Sequence, residues 1–371
     1  MTIESESRAA FNELLQLLQE VDRRWASEEW NLATPEDVAG AHRAILHTLE
    51  AGLLGWFEYD VRSPDFRRIV SPSRKLTGDN ADAWYFDAPV DSTYEYVVQG
   101  NMSGAVYFAL TIEEGCADGS MADRLGGVIN SEELEIDSNG NFTLYLGGPA
   151  RNSNWLPLGE SANRVTTRHY FENVECAAAD SLLHPSLKIE CVSSGDVPAP
   201  SGDAEVAAGI RRVIGFLKNR TIEMPAGSIA DNPPPFVSVV PNQFPKPVLP
   251  GDMGLAAADA HYSMAPFLIG EDEALVLTGR WPDCLFANVC LWNRHMQIFD
   301  YVNRQVSLNR QQTELESDGS FRMIIAHSDP GLPNWLDTEG KPFGIVYWRF
   351  FLVNGEVETP VAKVVKLSEL C

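Results

Sequence analysis

Apolar positions in the first sixty residues recur at spacings of three and four, the period of an amphipathic helix. Phe11, Leu14, Leu15, Leu18, Val21 and Trp25 form one such stripe. A second starts at Thr34-Pro35-Glu36-Asp37, where Thr34 suits an N-cap, Pro35 the first helical position and Asp37 the positive end of the helix dipole. Its predicted face is Val38, Ile45, Leu46, Leu49 and Leu53. From about residue 71 the pattern shortens to runs rich in aromatic and β-branched residues, such as 94–98, 105–110, 142–146 and 165–171, which predict strands. A third helical stripe, Val206, Ile210, Val213, Ile214 and Leu217, interrupts them. The proline-rich stretch from Asn232 to Pro250 predicts an ordered connector, because proline removes backbone donors and restricts its neighbours. Strand patterns then resume to the C-terminus.

The two strand-rich regions read as copies. Ala81-Asp82-Ala83-Trp84-Tyr85 matches Ala258-Asp259-Ala260-His261-Tyr262, and Glu133-Leu134-Glu135-Ile136-Asp137 matches Glu314-Leu315-Glu316-Ser317-Asp318. Asn154-Trp155-Leu156 matches Asn334-Trp335-Leu336, and 165–171 aligns with 345–351. Hairpin turns alone explain Asn139-Gly140 and Asp318-Gly319, but not the Asn-Trp-Leu triplets at matching distances. Each copy is about 110 residues long, a size that suits an antiparallel sandwich. The fold class expected is mainly β with helical additions: two tandem β-sandwich or jelly-roll-like domains, an N-terminal helical segment and a linking helix. The boundaries expected are a helical segment at 1–60, a first sandwich at 61–200, the linking helix and connector at 201–250, and a second jelly-roll-like domain at 251–371.

The second copy carries a family likeness. Leu291-Trp292-Asn293-Arg294, Val306-Ser307-Leu308-Asn309-Arg310, His327-Ser328-Asp329-Pro330-Gly331, Pro333-Asn334-Trp335-Leu336-Asp337-Thr338 and Tyr347-Trp348-Arg349-Phe350 resemble domain-of-unknown-function family 1214. The first copy, with Gly78-Asp79-Asn80-Ala81-Asp82-Ala83-Trp84-Tyr85, resembles the related domain found upstream of it. The resemblance implies a jelly-roll-like fold and carries no catalytic residues onto this chain.

Charge narrows the function. Across 371 residues, 28 Lys and Arg face 52 Asp and Glu, a net charge of −24. Such acidity argues against nucleic acid, whose phosphates need a basic footprint, and against anionic membranes. The acidic start lacks a signal-peptide core and no apolar run is long enough to span a membrane, so the expected location is cytoplasmic. The six cysteines are too sparse for a disulfide scaffold and read as reduced thiols. Dinucleotide, P-loop, zinc-protease and nucleophile-elbow motifs are absent, and the histidines do not cluster, so neither a cofactor nor a metal is expected.

What remains is polar residues inside apolar strands of the second copy. Arg349 shares a predicted strand face with Ile345, Tyr347 and Phe351, where a guanidinium is costly without a carboxylate or a ligand anion. Asp259, Asp329 and Asp337 are its candidate partners. Residues present in both copies read as folding determinants; those in one copy have less need to be structural. Arg349 stands opposite His169 in the alignment, His261 stands opposite Trp84, and Asn309-Arg310 lacks a counterpart. The ligand-holding candidates are therefore Arg294, Arg310, Arg349, Asn293, Trp292 and Trp335, and the proton-handling candidates Asp259, His261, His295 and Asp329. Two readings stand. One is binding of a small, partly apolar or anionic organic molecule in a β-domain cleft, with lyase, isomerase or hydrolase chemistry as its catalytic form. The other is a non-catalytic carbohydrate- or protein-binding module, in which the arginines only brace the fold.

Overall fold

The computed structural model describes residues 3–192, 200–224, 233–251, 253 and 256–370. Asn232 and Cys371 lie outside the described residues. The chain begins with helices α1 (Glu6–Trp25) and α2 (Pro35–Gly52). Thr34 caps α2 in a full capping box with Asp37, as the sequence predicts. The buried stripe of α1 is Ala10, Leu14, Leu17, Val21 and Trp25, whereas Phe11 and Leu15 are exposed. On α2, likewise, Ala41, Ala44 and Ile45 are buried and Leu46 is exposed, as is Leu53 just past its end. The inner faces mix alanines with large residues: Ala10 and Ala44 share one core with Leu14, Leu17, Val21, Trp25 and Ile45, and with Ala207, Ile210 and Leu217 of a third helix, α3 (Asp203–Arg220), on which α1 packs.

The first sandwich holds β1 (Arg67–Arg68), β2 (Ala83–Pro89), β3 (Tyr96–Asn101), β4 (Tyr107–Glu114), β5 (Arg124–Asn130), β6 (Asn141–Leu146), β7 (Trp155–Leu156), β8 (Ala162–Tyr170) and β9 (Leu187–Cys191). After α3 the second sandwich holds β10 (Ala260–Leu268), β11 (Glu273–Gly279), β12 (Phe286–Trp292), β13 (Ser307–Asn309), β14 (Phe321–Ala326), β15 (Trp335–Asp337), β16 (Phe343–Phe351) and β17 (Val361–Lys366). The described residues form four sheets, and their orders repeat. One sheet of each sandwich runs β2-β8-β4-β5 or β10-β16-β12-β13, with β1 added outside β2; the other runs β7-β6-β3-β9 or β15-β14-β11-β17. The chain is two tandem β-sandwiches, braced by helices.

The repeated sequence motifs make the same contacts. Asn154 and Asn334 both adopt a left-handed backbone. Each accepts a backbone N–H with its side chain, from Glu135 or Glu314, and each donates to two carbonyls. Short amides tolerate this conformation and satisfy the turn around them. Trp155 and Trp335 each donate their indole N–H to the end of the neighbouring strand, at Gly147 and Ala326.

Strand pairing corrects one alignment. Ala83 pairs with Tyr170, and Ala260 pairs with Phe351. Tyr170 is therefore the equivalent of Phe351, and Arg349 corresponds to Arg168 rather than His169. His169 faces the first core against Phe108 and corresponds to Phe350. By the same pairing Asn309 has a counterpart in Asn130, since Asn309 pairs with Asn288 and Asn130 with Ala109. A slip of one residue moves every side chain to the other face, so the correction changes what each arginine can touch.

The sheets that contain β8 and β16 face one another. Tyr107, Tyr170, Phe286 and Phe351 meet between them, with ring centroids 4.4 to 4.9 Å apart for Tyr170 against Phe351, Tyr107 against Phe351 and Tyr170 against Phe286. The contacts are reciprocal. Asp82 of the first sandwich accepts from Asn288 and Asn309 of the second. Its equivalent Asp259 accepts from Tyr107 and Asn130 of the first. Reciprocity of this kind is the mark of two-fold packing, here within one chain. The connector runs beside β10 through bridges from Val237 to Met264 and from Val248 to Tyr262, which makes it part of the wall between the sandwiches.

Candidate functional site

A cleft of about 430 Å³ lies between the facing sheets. From β8 it takes Thr167 and, alternating along one strand face, Arg164, Thr166, Arg168 and Tyr170. The second sandwich contributes Tyr262, Met264, Trp292, Tyr347 and Arg349, and the connector adds Phe236 and Val237. Phe216 and Arg220 line it from α3, and Trp30 and Arg294, joined by a hydrogen bond, line it beside the N-terminal helices. The size fits a small organic molecule.

The wall is mostly apolar, yet five arginines line it: Arg164, Arg168, Arg220, Arg294 and Arg349. Asp79 is the one acidic residue of the lining among the described residues. In a chain of net charge −24, this reverses the local sign.

The arginines differ in how they are satisfied. Arg349, 2% exposed, donates to the carbonyls of Gly78 (2.7 Å) and Asp79 (3.3 Å). Its guanidinium carbon lies 4.3 Å from the Tyr347 ring centroid and 5.1 Å from that of Trp292. Burial disfavours its charge, but the surrounding phenols and the Cys290 thiol raise its pKa above the ordinary arginine value. Arg168 donates to the carbonyl of Ala256, the equivalent of Asp79, so the pair braces both sandwiches reciprocally. Arg164 is ion-paired with buried Asp87. Burial, then repulsion from Arg220, lowers the pKa of Arg164 to about 9. Arg294 donates to the carbonyls of Trp30 and Asn31, both at 2.7 Å, with Asp37 at 3.8 Å.

Arg220 is the exception. It is 3% exposed and ends α3, and its guanidinium makes no hydrogen bond or ion pair with any described residue. Its contact is the face of Phe216, 3.9 Å from the centroid. Burial lowers its pKa to about 10, against the attraction of Glu113. The helix C-terminus favours a cation by about 0.3–1 kcal/mol. Burying an unpaired charge costs several kcal/mol, so the helix end does not offset it.

Asp79 accepts the backbone N–H of Ile298 at 2.8 Å, while its other carboxylate oxygen is buried and unpartnered. Burial pushes its pKa up to about 7 despite Lys75 nearby. Tyr85 and Tyr170 share a 2.7 Å hydroxyl hydrogen bond, and Tyr262 accepts the N–H of Ala257.

Of the residues singled out from sequence, Trp292, Arg294 and Arg349 line the cleft. Arg310 does not: it grips Glu172 through two bonds of 2.6 and 2.7 Å and the carbonyls of Cys284 and Leu285, a brace between the sandwiches. Asp259 is held by Tyr107 and Asn130. His261 lies on the face of β10 opposite Tyr262. His295 is stacked on Trp25 and packed against Trp30, with centroids 4.6 and 4.7 Å away, and burial lowers its pKa to about 3. Asp329 caps an exposed turn at Gly331, and Asn293 caps the turn through His295 and Gln297. Trp335 sits in an outer sheet. The carboxylates proposed to compensate Arg349 are occupied elsewhere, Asp337 by Arg304. Sequence reasoning missed Arg164, Arg168 and Arg220. The signal for Arg220 was its place on the third helix, seven residues after Val213 and three after Leu217, on the apolar face.

Among the described residues no cluster of three or more His, Cys, Asp or Glu is placed to hold a metal, and no helix is long and apolar enough to cross a membrane. No family model and no curated protein matches the chain. Among solved structures it is similar to an uncharacterised protein from Burkholderia cenocepacia, with 25% identity, a TM-score of 0.83 and coverage of 97% of this chain and 98% of that one. A protein from Vibrio parahaemolyticus matches at 15% identity and a TM-score of 0.49, over 88% of this chain and 98% of that one. The first likeness extends over both sandwiches and the helices; it brings a fold and no chemistry.

Proposed function

We propose that the cleft between the sandwiches binds a small organic anion with a largely apolar body. The observation that carries this reading is the reversal of charge at the wall: among the described residues, five arginines and one aspartate line a mostly apolar cavity in a strongly acidic chain. Arginines held inside a low-dielectric cleft attract and orient an acid far more strongly than the same groups in water. The apolar wall supplies the remaining affinity through buried area.

Catalysis without a cofactor is a second reading, and Asp79 favours it. A carboxyl on the cleft wall with a pKa near 7 can exchange a proton with a bound acid at neutral pH. That chemistry suits a lyase or isomerase step next to the anionic group.

The test is thermal unfolding of the full chain with octanoate and with octyltrimethylammonium, which share an apolar body and differ in charge. The expected result is a midpoint raised by octanoate alone, and lost in Met264→Trp, which fills the cleft. Equal shifts with both compounds, or none with either, would contradict the reading.

A further inference from the structure

We infer that Arg220 is the anchor for the acidic head of the cleft's ligand, and that this ligand is a hydrophobic monocarboxylate with a variable body. The inference rests on the anion-binding reading above and adds where the acid sits and which acids fit.

The anchor follows from accounting for the five guanidiniums. Arg164 has Asp87, Arg294 has two carbonyls and Asp37, Arg349 has two carbonyls and two ring faces, and Arg168 has the Ala256 carbonyl. Arg220 lines the same cleft, is almost fully buried, and has no hydrogen-bonded partner among the described residues. Buried guanidinium groups are paired in native proteins, and an unpaired one needs an explanation. The cleft beside it supplies space for the missing acceptor.

The head is a carboxylate because one guanidinium of the wall lacks a hydrogen-bonded acceptor among the described residues. Arg164 is already matched by Asp87. Glu113, the carboxylate nearest in influence to Arg220, is buried and accepts the hydroxyl of Thr166. A carboxylate's two oxygens complete the fork of Arg220; a phosphate brings further oxygens, while the other four guanidiniums already hold carbonyl or carboxylate acceptors.

The body is read from the methionines. Met121, Met224, Met253, Met264 and Met296 line the cleft, five of the eight in the chain. Methionine is unbranched and polarisable, and methionine-rich walls repack around ligands of different shape. The wall therefore tolerates both alkyl and aryl bodies, while the head is fixed by Arg220.

Calorimetric titration of the full chain with octanoate, 4-phenylbutyrate, octyl phosphate and octan-1-ol tests both halves, in the wild type, Arg220→Met and Arg220→Lys. The two carboxylates should bind within about tenfold of each other, and octyl phosphate and octanol more weakly by roughly 10–100-fold, the worth of a charged hydrogen bond. Arg220→Met should lose carboxylate binding by a similar factor, Arg220→Lys should lose less, and the unliganded midpoint of Arg220→Met should rise. Octanoate binding unchanged in Arg220→Met would overturn the anchor and leave the anion-binding cleft standing. Tighter binding of octyl phosphate than octanoate would overturn the carboxylate head. A large gap between the alkyl and aryl acids would overturn the tolerant body. Absence of binding by every anion to the wild type would overturn the cleft reading itself. A lowered unliganded midpoint in Arg220→Met with wild-type affinity would identify Arg220 as a purely structural group.

Discussion

Arg349 and Arg220 are both buried guanidiniums on the wall of one cleft, and they are treated in opposite ways. Arg349 belongs to the repeated part of the molecule, has an equivalent in Arg168, and reaches carbonyls of the other sandwich. Arg220 comes from α3, which joins the repeats and has no copy, and it has no hydrogen-bonded partner among the described residues. Repeated polar residues hold the sandwiches together; the unrepeated helix contributes the group left open. Duplication explains the difference, because contacts across a two-fold interface are satisfied reciprocally by the repeats themselves.

The largest expected effect separates the two arginines by sign. Arg349→Ala leaves two carbonyls without their donor and opens a cavity, and should destabilise the fold by about 3–4 kcal/mol in urea unfolding. Arg220→Met removes an unpaired buried charge and should stabilise it by about 1–3 kcal/mol. Loss of stability in both variants would erase the contrast.

Next in size is a pH effect at the interface. Burial raises the pKa of Asp82 to about 6 in the folded chain, above its ordinary value. Below about pH 4 both folded and unfolded states hold the proton, so the stability is fully present. As pH rises from 4 to 6 the unfolded state releases its proton first, and the contribution of Asp82 to stability falls by on the order of 2–3 kcal/mol before levelling. Asp79, raised to about 7, adds a fall of the same sign that begins near pH 4 and runs a unit further. The difference in stability between the wild type and Asp82→Asn should fall by that amount from pH 4 to 6; a difference that stays constant over this range would count against a buried Asp82 of raised pKa.

Smaller still is the effect at the repeated asparagines. Asn334→Ala and Asn154→Ala each lose three hydrogen bonds and place alanine in a left-handed backbone, a cost of about 2 kcal/mol. Matching losses would show one device used twice. A loss in one variant alone would break the equivalence of the sandwiches.

These comparisons also show what the sequence makes legible. Asn154-Trp155 and Asn334-Trp335 are readable as a repeat because a left-handed asparagine followed by a tryptophan is a local requirement, written in adjacent residues. Thr34, Pro35 and Asp37 mark a helix start for the same reason. The register of β8 against β16 is not local. Aligning on Phe171 and Phe351 gives a plausible match, but the pairing of Ala83 with Tyr170 and Ala260 with Phe351 decides it. The helix faces depart from the apolar stripe at Phe11, Leu15 and Leu46, which are exposed while Ala10, Leu17 and Ala44 are buried: spacing alone does not choose between adjacent apolar rows. The cleft was half legible: Arg349 and Trp292 stood out as polar or aromatic residues in strands, while Arg220 was hidden because helix periodicity marks a face and not its neighbour. Arg310 and Asp259 looked alike from sequence and turned out to be braces, since their partners Glu172 and Asn130 lie in the other sandwich.

The most direct measurement is a crystal structure of the full chain grown with 8-bromooctanoate, whose bromine locates the tail by anomalous scattering. The account predicts the carboxylate within about 3 Å of the Arg220 guanidinium, and the bromine inside the cleft against its methionines. A carboxylate resting on Arg349 or Arg294 with Arg220 still unpaired, or bromine density outside the cleft, would contradict it.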